Sequence, residues 1–503
     1  MPPSKQASRE LRAAWHTSCM KPLTAADAQR LREFFREARY THEEFESRRL
    51  LLELPSRASG NLPWLLDRAR EPSFANLLLR WFFLGVPAAS ESVAGLVPPD
   101  VLALLLECGM LIRDGGELSP TVMLTPCDQY FFAADTIARL ESHPADLVIW
   151  PNPTTRLLHR FTIRHPSRAT LDLGAGCGIQ AVFTADHSAQ VTATDLNPRA
   201  AGFTGFNAWL NGASNIECLT GDTFAPVRNR TFDLIVANPP FFVTPSGDQL
   251  YCENGMELDD YCRRIVREAP AHLNEGGYLQ MVCEWVQIRG QSWRDRVVEW
   301  LEGTGCDCWI ARSYAREAGA YAQERIRQIA PACAAPETSA RWMDYYRERG
   351  VEEIHGGILA MRRRTGHNWV RIEDMPVDPN QPFGEAVSQA FVCIDFLERH
   401  CSDEELLKAR LRLSPEAQLD RQSRQSDGRW HTVGMSLRFN GGIPASMRLD
   451  PAVAEFLAGL DGSRTLGELV EDLAQRVQVD SGVVQPECLA VVRKLIERRF
   501  VLP

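Results

Sequence analysis

The tetrapeptide Asn238-Pro239-Pro240-Phe241 is the clearest candidate for chemistry, because it directly follows the apolar run DLIVA. Two prolines at a strand end remove two backbone donors and fix the path of the chain. The Asn238 side chain then offers a carbonyl oxygen, the backbone carbonyls beside the prolines offer further acceptors, and Phe241 offers a flat aromatic face. These groups suit a planar NH2 group, whose lone pair they would steer toward an electrophile. The alternative is a rigid turn without chemistry.

A glycine-rich turn upstream could hold that electrophile. The segment from residue 171 to 180 reads LDLGAGCGIQ, so an apolar strand ends at Asp172 and a turn with Gly174, Gly176 and Gly178 opens a helix. Glycine permits positive φ and lets the backbone approach a ligand closely. The GxGxG spacing departs from the GxGxxG pattern of dinucleotide folds, which weakens a pyrophosphate interpretation. A purely structural strand-to-helix turn stays open.

Two later strand ends supply acidic side chains. The run VTATD ends at Asp195, about 20 residues after the glycine turn, where a carboxylate is suited to bind a ribose diol. Asp195 alone does not separate nicotinamide enzymes from enzymes that use another adenosine cofactor. Gly221-Asp222-Thr223 ends a further strand, and Asp222 could accept from an adenine amino group or cap a helix.

In this order the motifs resemble the class I S-adenosylmethionine-dependent methyltransferases, in the branch that carries NPPY or NPPF. Residues about 148–285 resemble the HemK/PrmC family, which methylates a glutamine amide in release factors. The segments that carry the resemblance are VIWPNPTTRLL, LDLGAGCG, TDLNPRA, NPPF and GMELDDYCRRIVREAPAHLNEGGYLQMVCEW. The same core is similar to ribosomal-RNA guanine-N2 methyltransferases, which more often carry NPPF. The whole architecture resembles uncharacterised bacterial methyltransferases with extra terminal domains.

The resemblance implies N-methylation with S-adenosylmethionine as cofactor. No metal is expected, because the scattered cysteines lack metal-ligand spacing. The residues that it assigns to the acceptor nitrogen are Asn238, Pro239, Pro240 and Phe241. The residues that it assigns to the cofactor are Asp172, Leu173, Gly174, Ala175, Gly176, Cys177, Gly178, Asp195, Leu196, Asp222, Thr223 and Asn238.

Two departures leave the acceptor open. Phe241 stands where the glutamine family has tyrosine, and residues 152–156 lack that family's acidic side chains. The acceptor is therefore an exocyclic amine of an RNA or DNA base, or a glutamine amide of a protein. A small-molecule acceptor and a cofactor-sensing DNA-binding regulator are the alternatives, and the intact NPPF argues against the regulator.

The pattern around these motifs predicts the elements that position them. Between about residues 147 and 364, short apolar runs that end in Gly, Asp or Asn alternate with amphipathic helices. Such alternation predicts a parallel sheet that is covered on both faces. We therefore expect an α/β fold with a Rossmann-like class I methyltransferase core, a mostly parallel seven-stranded sheet, and helical or winged-helix-like domains at both ends.

The length of 503 residues favours two to four domains. Thr24 is expected to open a helix, and Thr465 with Glu468 is expected to form a capping box. A small helical cap is the alternative to the first winged-helix-like domain. The predicted divisions are a helical region (1–70), a winged-helix-like domain (71–147), the methyltransferase domain (148–365) with an insertion at about 316–351, a connecting region and linker (366–430), and a second winged-helix-like domain (431–503).

Composition narrows the class of protein. The chain holds 55 Lys+Arg against 65 Asp+Glu, so any surface for nucleic acid must be local. The 14 cysteines include no CxxC pair, which favours reduced thiols in a soluble, cytoplasmic protein. The apolar run from Val101 to Ile112 is too short to span a membrane. The macromolecular partner is RNA or protein, and the oligomeric state and the role of Glu284 are left open.

Overall fold

A computed structural model describes residues 20–48, 50, 62–93, 95–142, 144–329, 336–375, 382–439 and 445–503. The chain divides into one compact unit of Met1–His159 and His165–Asp374, and a second of Arg160–Arg164 and Met375–Pro503. Parts of the predicted domains lie outside the described residues. They are residues 1–19, 49 and 51–61 of the helical region, 94 and 143 of the first winged-helix-like domain, 330–335 of the insertion, 376–381 of the connecting region and 440–444 of the C-terminal domain.

The first unit is built on an eight-stranded sheet. The strands are β6 (Ser167–Leu173), β7 (Ser188–Asp195), β8 (Ile216–Thr220), β9 (Phe232–Ala237), β10 (Leu273–Ile288), β11 (Cys306–Glu317), β12 (Val351–Arg363) and β13 (Val370–Asp374). Their order in the sheet is β13-β11-β12-β10-β9-β6-β7-β8. Strand β12 runs antiparallel to both of its neighbours, and all the other pairs are parallel.

The central strands are buried on both faces, which explains their continuous apolar runs. The predicted α/β class and mostly parallel sheet are confirmed. The sheet has eight strands, and not the expected seven, because β13 pairs with the outer edge of β11. The helix Pro153–Phe161 precedes β6. The helices that connect these strands are Ile179–Ala185, Pro198–Asn211, Asp260–Glu268, Trp293–Leu301, Ala318–Ile329 and Pro336–Glu348, with 3-10 turns at Ala225–Val227 and Ala269–His272.

Residues 20–142 form the helical part of the first unit. Thr24 caps the first described helix as expected, and accepts a hydrogen bond from the Asp27 N–H. Strands β1 (Ala88–Ala89), β2 (Leu111–Asp114) and β3 (Glu117–Pro120) form a small antiparallel sheet, and β4 (Met123–Cys127) pairs with β5 (Tyr130–Ala134). The helices are Ala25–Glu37, His42–Ser47, Leu62–Arg68, Phe74–Leu78, the π-helix Leu79–Phe83, Ser90–Val93, Pro99–Glu107 and Ile137–Glu141. The winged-helix assignment of this part stays a prediction.

Two asparagines one turn apart hold this helical part against the helix Pro198–Asn211. The Asn207 and Asn211 side chains each accept from one backbone N–H of β5 and donate to the carbonyl of the same residue, Ala133 and Phe131 respectively. These bonds satisfy the backbone N–H and carbonyl groups of β5 as the bonds of a neighbouring strand would. The Asn207 amide also donates to the Cys177 carbonyl at 2.7 Å, so the brace extends to the glycine turn.

The second unit combines helices with a three-stranded antiparallel sheet. Thr465 and Glu468 form the predicted capping box. Residues 417–426 and 429–439 pair as a long hairpin, where the sequence had indicated a linker. The helices are Gly384–Arg399, Asp403–Leu407, Pro451–Ala458, Leu466–Val477 and Ser481–Glu497, and the strands are β14 (Arg412–Leu413), β15 (Ala417–Ser426), β16 (Arg429–Phe439), β17 (Ser446–Leu449) and β18 (Val501–Leu502).

None of the helices in the described part of the chain is long and apolar enough to cross a bilayer. Among the same residues, no cluster of three or more His, Cys, Asp or Glu side chains could hold a metal ion.

Candidate active site

A cavity of about 360 Å³ opens where strands β6, β7, β8 and β9 end. Because these strands are parallel, the residues that follow them meet at one edge of the sheet, where ligands bind in open α/β folds. The predicted site residues that line this cavity are Asp172, Gly174, Ala175, Gly176, Cys177, Asp195, Leu196, Asp222, Asn238 and Pro240.

Three predicted cofactor residues do not line the cavity. Leu173 is buried in the hydrophobic core. Gly178 packs on the helix Pro198–Asn211, where a Cβ would lie 2.7 Å from the Thr204 side chain. Thr223 has a φ of 46° and donates to the Asp222 carboxylate at 2.6 Å, so it orients that side chain. These three residues lie outside the cavity lining and support the residues that form it.

Asp195 fixes the glycine turn to the end of β7. One carboxylate oxygen accepts from the Gly176 N–H and the other from the Asn197 N–H, both at 2.8 Å. Gly176 can make this contact because its φ of 59° lies in the left-handed region. A carboxylate oxygen accepts more than one hydrogen bond, so each can still receive a hydroxyl of a ligand.

Asp172 is buried and accepts from the Ala181 N–H at 2.8 Å. Burial, with a smaller contribution from the nearby Asp195 charge, raises the pKa of the Asp172 carboxyl to about 7 against the opposing effect of that hydrogen bond. Gln180 also lines the cavity, and its Oε1 is buried without a hydrogen-bond partner in the described structure. The cavity wall therefore holds acceptors that a ligand with N–H donors would satisfy.

A second cavity of about 60 Å³ adjoins the first, and Asn238 lines both. Pro239 and Phe241 belong to this smaller cavity, so the predicted acceptor residues are divided between the two spaces. The smaller volume suits the NH2-bearing end of a planar group. The other residues that line it are Ile149, Asn152, Thr154, Phe242, Tyr251 and Cys252.

The Asn238 amide is held in one orientation by Thr155. Asn238 Nδ2 donates to Thr155 Oγ1 at 3.2 Å, and Thr155 Oγ1 donates its proton to Asn152 Oδ1 at 2.9 Å. Since that hydroxyl has one proton, it can only accept from Asn238, which must present its NH2 group there. The carbonyl oxygen of Asn238 is left for a ligand. The sequence analysis missed Thr155, although it lies in the quoted segment VIWPNPTTRLL.

The loop after the NPPF motif folds back over the cavity. Asn254 donates to the Pro240 carbonyl at 2.6 Å, so this carbonyl, which was expected to be an acceptor for substrate, already has a partner. Buried Glu253 accepts from the N–H groups of Asp248 and Gln249 and holds the loop closed. The cavity residues that the sequence analysis missed are Leu147, Val148, Ile149, Trp150, Thr155, Ile179, Gln180, Asn197, Ala200, Gly247, Leu250, Tyr251, Glu253, Asn254, Met256, Tyr261 and Arg264.

Asp222 keeps its predicted place in the cavity wall but is already paired. Its carboxylate accepts from Thr223 and, at 3.1 Å, from Arg264 Nη2. The hydrogen bond from Thr223 is the main cause that lowers the pKa of the Asp222 carboxyl, with the Arg264 contact as a further cause. Arg264 thus joins the site as a cation that the sequence analysis did not assign.

Glu284 lines neither cavity, and it supports the site through the side chains that it contacts. It is buried within β10 and accepts from Arg325 Nη2 at 2.5 Å and from the hydroxyls of Tyr314 and Tyr321. The Arg325 guanidinium lies 4.0 Å from the centroid of the Phe242 ring, next to the NPPF motif. Of the two interpretations left open for Glu284, these contacts favour the structural one.

The same cluster fixes the backbone just after the motif. The Val243 N–H donates to the Tyr321 hydroxyl at 3.2 Å, and the Tyr346 hydroxyl donates to the Val243 carbonyl at 2.7 Å. Tyr321 and Tyr346 come from the two helices between β11 and β12. The predicted insertion therefore positions the motif.

Comparisons with known proteins agree with this geometry. Residues 151–289 match the family described as methyltransferase small domain, and residues 389–503 match a domain of unknown function. A release factor glutamine methyltransferase from Geobacter sulfurreducens is 30% identical over 200 residues, which are 37% of this chain and 68% of that protein.

Two further relatives have other substrates in their names. A ribosomal RNA small subunit methyltransferase C from Alcanivorax borkumensis is 31% identical over 25% of this chain and 40% of that protein. A ribosomal protein uL3 glutamine methyltransferase from Bradyrhizobium diazoefficiens is 34% identical over 30% of this chain and 53% of that protein. The chain thus spans between 40% and 68% of the length of these three relatives.

Proposed function

We propose, since the chain belongs to the methyltransferase small domain family, that it transfers a methyl group from S-adenosylmethionine to a planar amine or amide nitrogen. The observation that carries this proposal is the place of Asn238. Its amide, oriented by Thr155, stands between a large cavity lined by carboxylates and a small cavity lined by Phe241.

The larger cavity fits the proposed cofactor. Its volume of about 360 Å³ lies in the range of small-molecule sites, roughly 300–1,000 Å³. Asp195 and Asp222 would hold the two ends of the adenosine, and Asp172 with the unpartnered Gln180 Oε1 would receive the ammonium of the methionine part. Every one of these groups is an acceptor, as a ligand with hydroxyl, amino and ammonium donors requires.

When bound, S-adenosylmethionine supplies an electrophilic methyl carbon. Asn238 Oδ1 would accept from the substrate NH2 group and turn the nitrogen lone pair toward the larger cavity. Phe241 would bind the flat face of the same group. The chain then contributes mainly orientation, together with a hydrogen bond that strengthens as the nitrogen becomes positive. The nitrogen would lose its proton to solvent after the transfer.

We infer that the acceptor belongs to a cytoplasmic macromolecule, either RNA or protein. The three relatives support this choice, because their names state a release factor, a ribosomal RNA and a ribosomal protein as substrates. The chain adds a second unit that includes the domain of unknown function, which favours a substrate large enough to contact more than the cavity.

A transfer assay tests the proposed function. The full chain is incubated with methyl-labelled S-adenosylmethionine and an extract of cells that lack it, and RNA, DNA, protein and small molecules are separated. Label in the RNA or protein fraction supports the proposal. Label confined to small molecules would overturn the macromolecular acceptor, and a chain that transfers no label and binds no cofactor would overturn the activity.

Replacing Thr155 by valine should slow methyl transfer without loss of cofactor. The amide of Asn238 could then rotate and present its NH2 group to the substrate, so we expect kcat to fall about tenfold, as for a lost orienting hydrogen bond. Cofactor affinity, measured by calorimetry, should stay within about twofold. Thr155→Ser keeps the hydroxyl and should retain most of kcat. Equal kcat for valine and wild type would contradict the orienting role.

Cofactor affinity should rise with pH through the pKa of Asp172, which is raised to about 7 by burial. Below this pH the carboxyl is neutral and attracts the ammonium weakly, and above it the carboxylate attracts it strongly. Titration calorimetry at several pH values should show up to about a tenfold gain per pH unit below the pKa. Asp172→Asn should bind with little pH dependence, and the same pH dependence in this variant would contradict the assignment.

A further inference from the structure

The hairpin of β15 and β16, residues 417–439, projects from the second unit, and we call it the arginine ribbon. Every residue from 421 to 433 is exposed, whereas Met435 and Leu437 near its base are buried. Asp427 and Gly428 both have positive φ, of 53° and 73°, which matches the tight two-residue turn of a stable hairpin. The ribbon is therefore anchored at one end and open to solvent on both faces at the other.

The charge of the ribbon is opposite to that of the whole chain. Its 23 residues hold four arginines and two aspartates, a net charge of +2, against −10 for the full sequence. Arg438 at the base forms an ion pair with Asp420. In the described part of the chain, no ion pair engages Arg421, Arg424 or Arg429, although many arginines elsewhere are paired. The ribbon tip thus offers unpaired cations to a partner.

The ribbon also exposes an aromatic ring. Trp430 is 74% exposed, the highest value among the exposed large hydrophobic side chains described. It lies opposite Gln425, while Arg424 lies opposite His431 and Ser426 opposite Arg429. Because side chains alternate along a strand, Arg424, Arg429 and His431 share one face and Trp430 lies on the other. A partner that satisfies both faces must supply negative charges and a flat apolar surface.

We propose that the arginine ribbon binds RNA, with Arg424 and Arg429 on phosphate oxygens and Trp430 stacked on an unpaired base. Phosphates complement the unpaired guanidinium groups, and an unpaired base covers the exposed indole. A fully paired duplex would leave Trp430 uncovered, because its bases are already stacked. Loops and bulges that place unpaired bases beside regularly spaced phosphates are the usual targets of RNA-binding proteins. This inference does not depend on the proposed methyl transfer.

Fluorescence anisotropy with the full chain tests the proposal. The probes are a fluorescein-labelled RNA stem–loop, the same stem as a blunt duplex, and the DNA equivalents, each titrated over a range of salt. We expect the RNA stem–loop to bind most tightly. Arg424→Ala with Arg429→Ala should lower the slope of log affinity against log salt by about 1.4, since each contact to a single-strand phosphate contributes about 0.7. Trp430→Ala should weaken binding roughly tenfold with an unchanged slope.

Arg438→Ala is the matched control, because it removes one arginine from the same ribbon but one already paired with Asp420. It should change affinity less than twofold, as expected for an exposed ion pair outside the contact. Arg424, Arg429 and Trp430 have exposed side chains at the tip of the ribbon, whereas Arg438 lies at its base. Unchanged thermal midpoints of unfolding will show that the fold of each variant is intact. The proposal would be overturned if the tip variants bound RNA as tightly as the wild type, or if Arg438→Ala weakened binding as much as Arg424→Ala. It would also be overturned if these residues were needed to bind a protein and not to bind RNA.

Discussion

Asn238→Ala should abolish measurable methyl transfer while cofactor binding is retained. In the proposed reaction, Asn238 Oδ1 turns the substrate nitrogen toward the methyl group, so its loss would remove an interaction made at the reacting atom. Loss of one such positioned group lowers kcat by about 10²–10³-fold. The proposed cofactor contacts are mainly Asp172, Asp195 and the glycine turn, so the dissociation constant of the cofactor should stay within about twofold. Single-turnover rates and calorimetry measure the two effects separately.

Asn215→Ala provides a control for this result. Its amide is likewise held by hydrogen bonds, which go to the carbonyls of Ala185 and Ser188, but it lines neither cavity. This variant should keep turnover close to that of the wild type. A comparable loss of turnover in both variants would point to general disruption of the fold, and full activity of Asn238→Ala would contradict the role of the NPPF motif.

Glu284→Gln should give the largest loss of stability among the variants considered. It leaves the buried Arg325 guanidinium without its carboxylate, and breaking one partner of a buried ion pair costs about 3–5 kcal/mol. Because the same cluster holds Phe242 and Val243 in place, turnover should fall as well. Urea unfolding at neutral pH measures the free energy of unfolding.

The exposed pair of Glu404 and Lys408 is the comparison for this variant, because its side chains are 81% and 70% exposed. Glu404→Gln should change the unfolding curve little. Replacing Glu284 and Arg325 together by Gln and Met should recover much of the stability, since no buried charge is then left unpaired. A Glu284→Gln chain as stable as wild type would show that the cluster is not the support described.

The parts of the site that could be predicted from sequence are those fixed by local chain order. The ends of parallel strands must meet at one edge, so Asp172, Asp195, Asp222 and Asn238 could be placed in one cavity without coordinates. The mostly parallel sheet could also be predicted from local sequence, because its buried strands are continuous apolar runs.

Contacts between distant segments could not be predicted. Thr155 reaches Asn238 across 83 positions, and Tyr321 reaches Val243 across 78, and nothing in either local pattern indicates its partner. Leu173 and Gly178 were assigned to the cofactor because they lie in a contiguous motif, yet the turn directs them into packing. Residues 417–430 of the arginine ribbon were predicted as part of a linker, because this exposed stretch lacks the apolar alternation that marks a half-buried strand.

Mass spectrometry of the methylated product tests the central claim most directly. The full chain is incubated with ¹³C-methyl S-adenosylmethionine and an extract of cells that lack it, and fragmentation of digested RNA and protein locates the labelled carbon. We predict a methyl group on an exocyclic base nitrogen or a glutamine amide nitrogen, present with the wild type and absent with Asn238→Ala. A methyl group on carbon, oxygen or sulfur, or the same nitrogen product from both chains, would contradict the account.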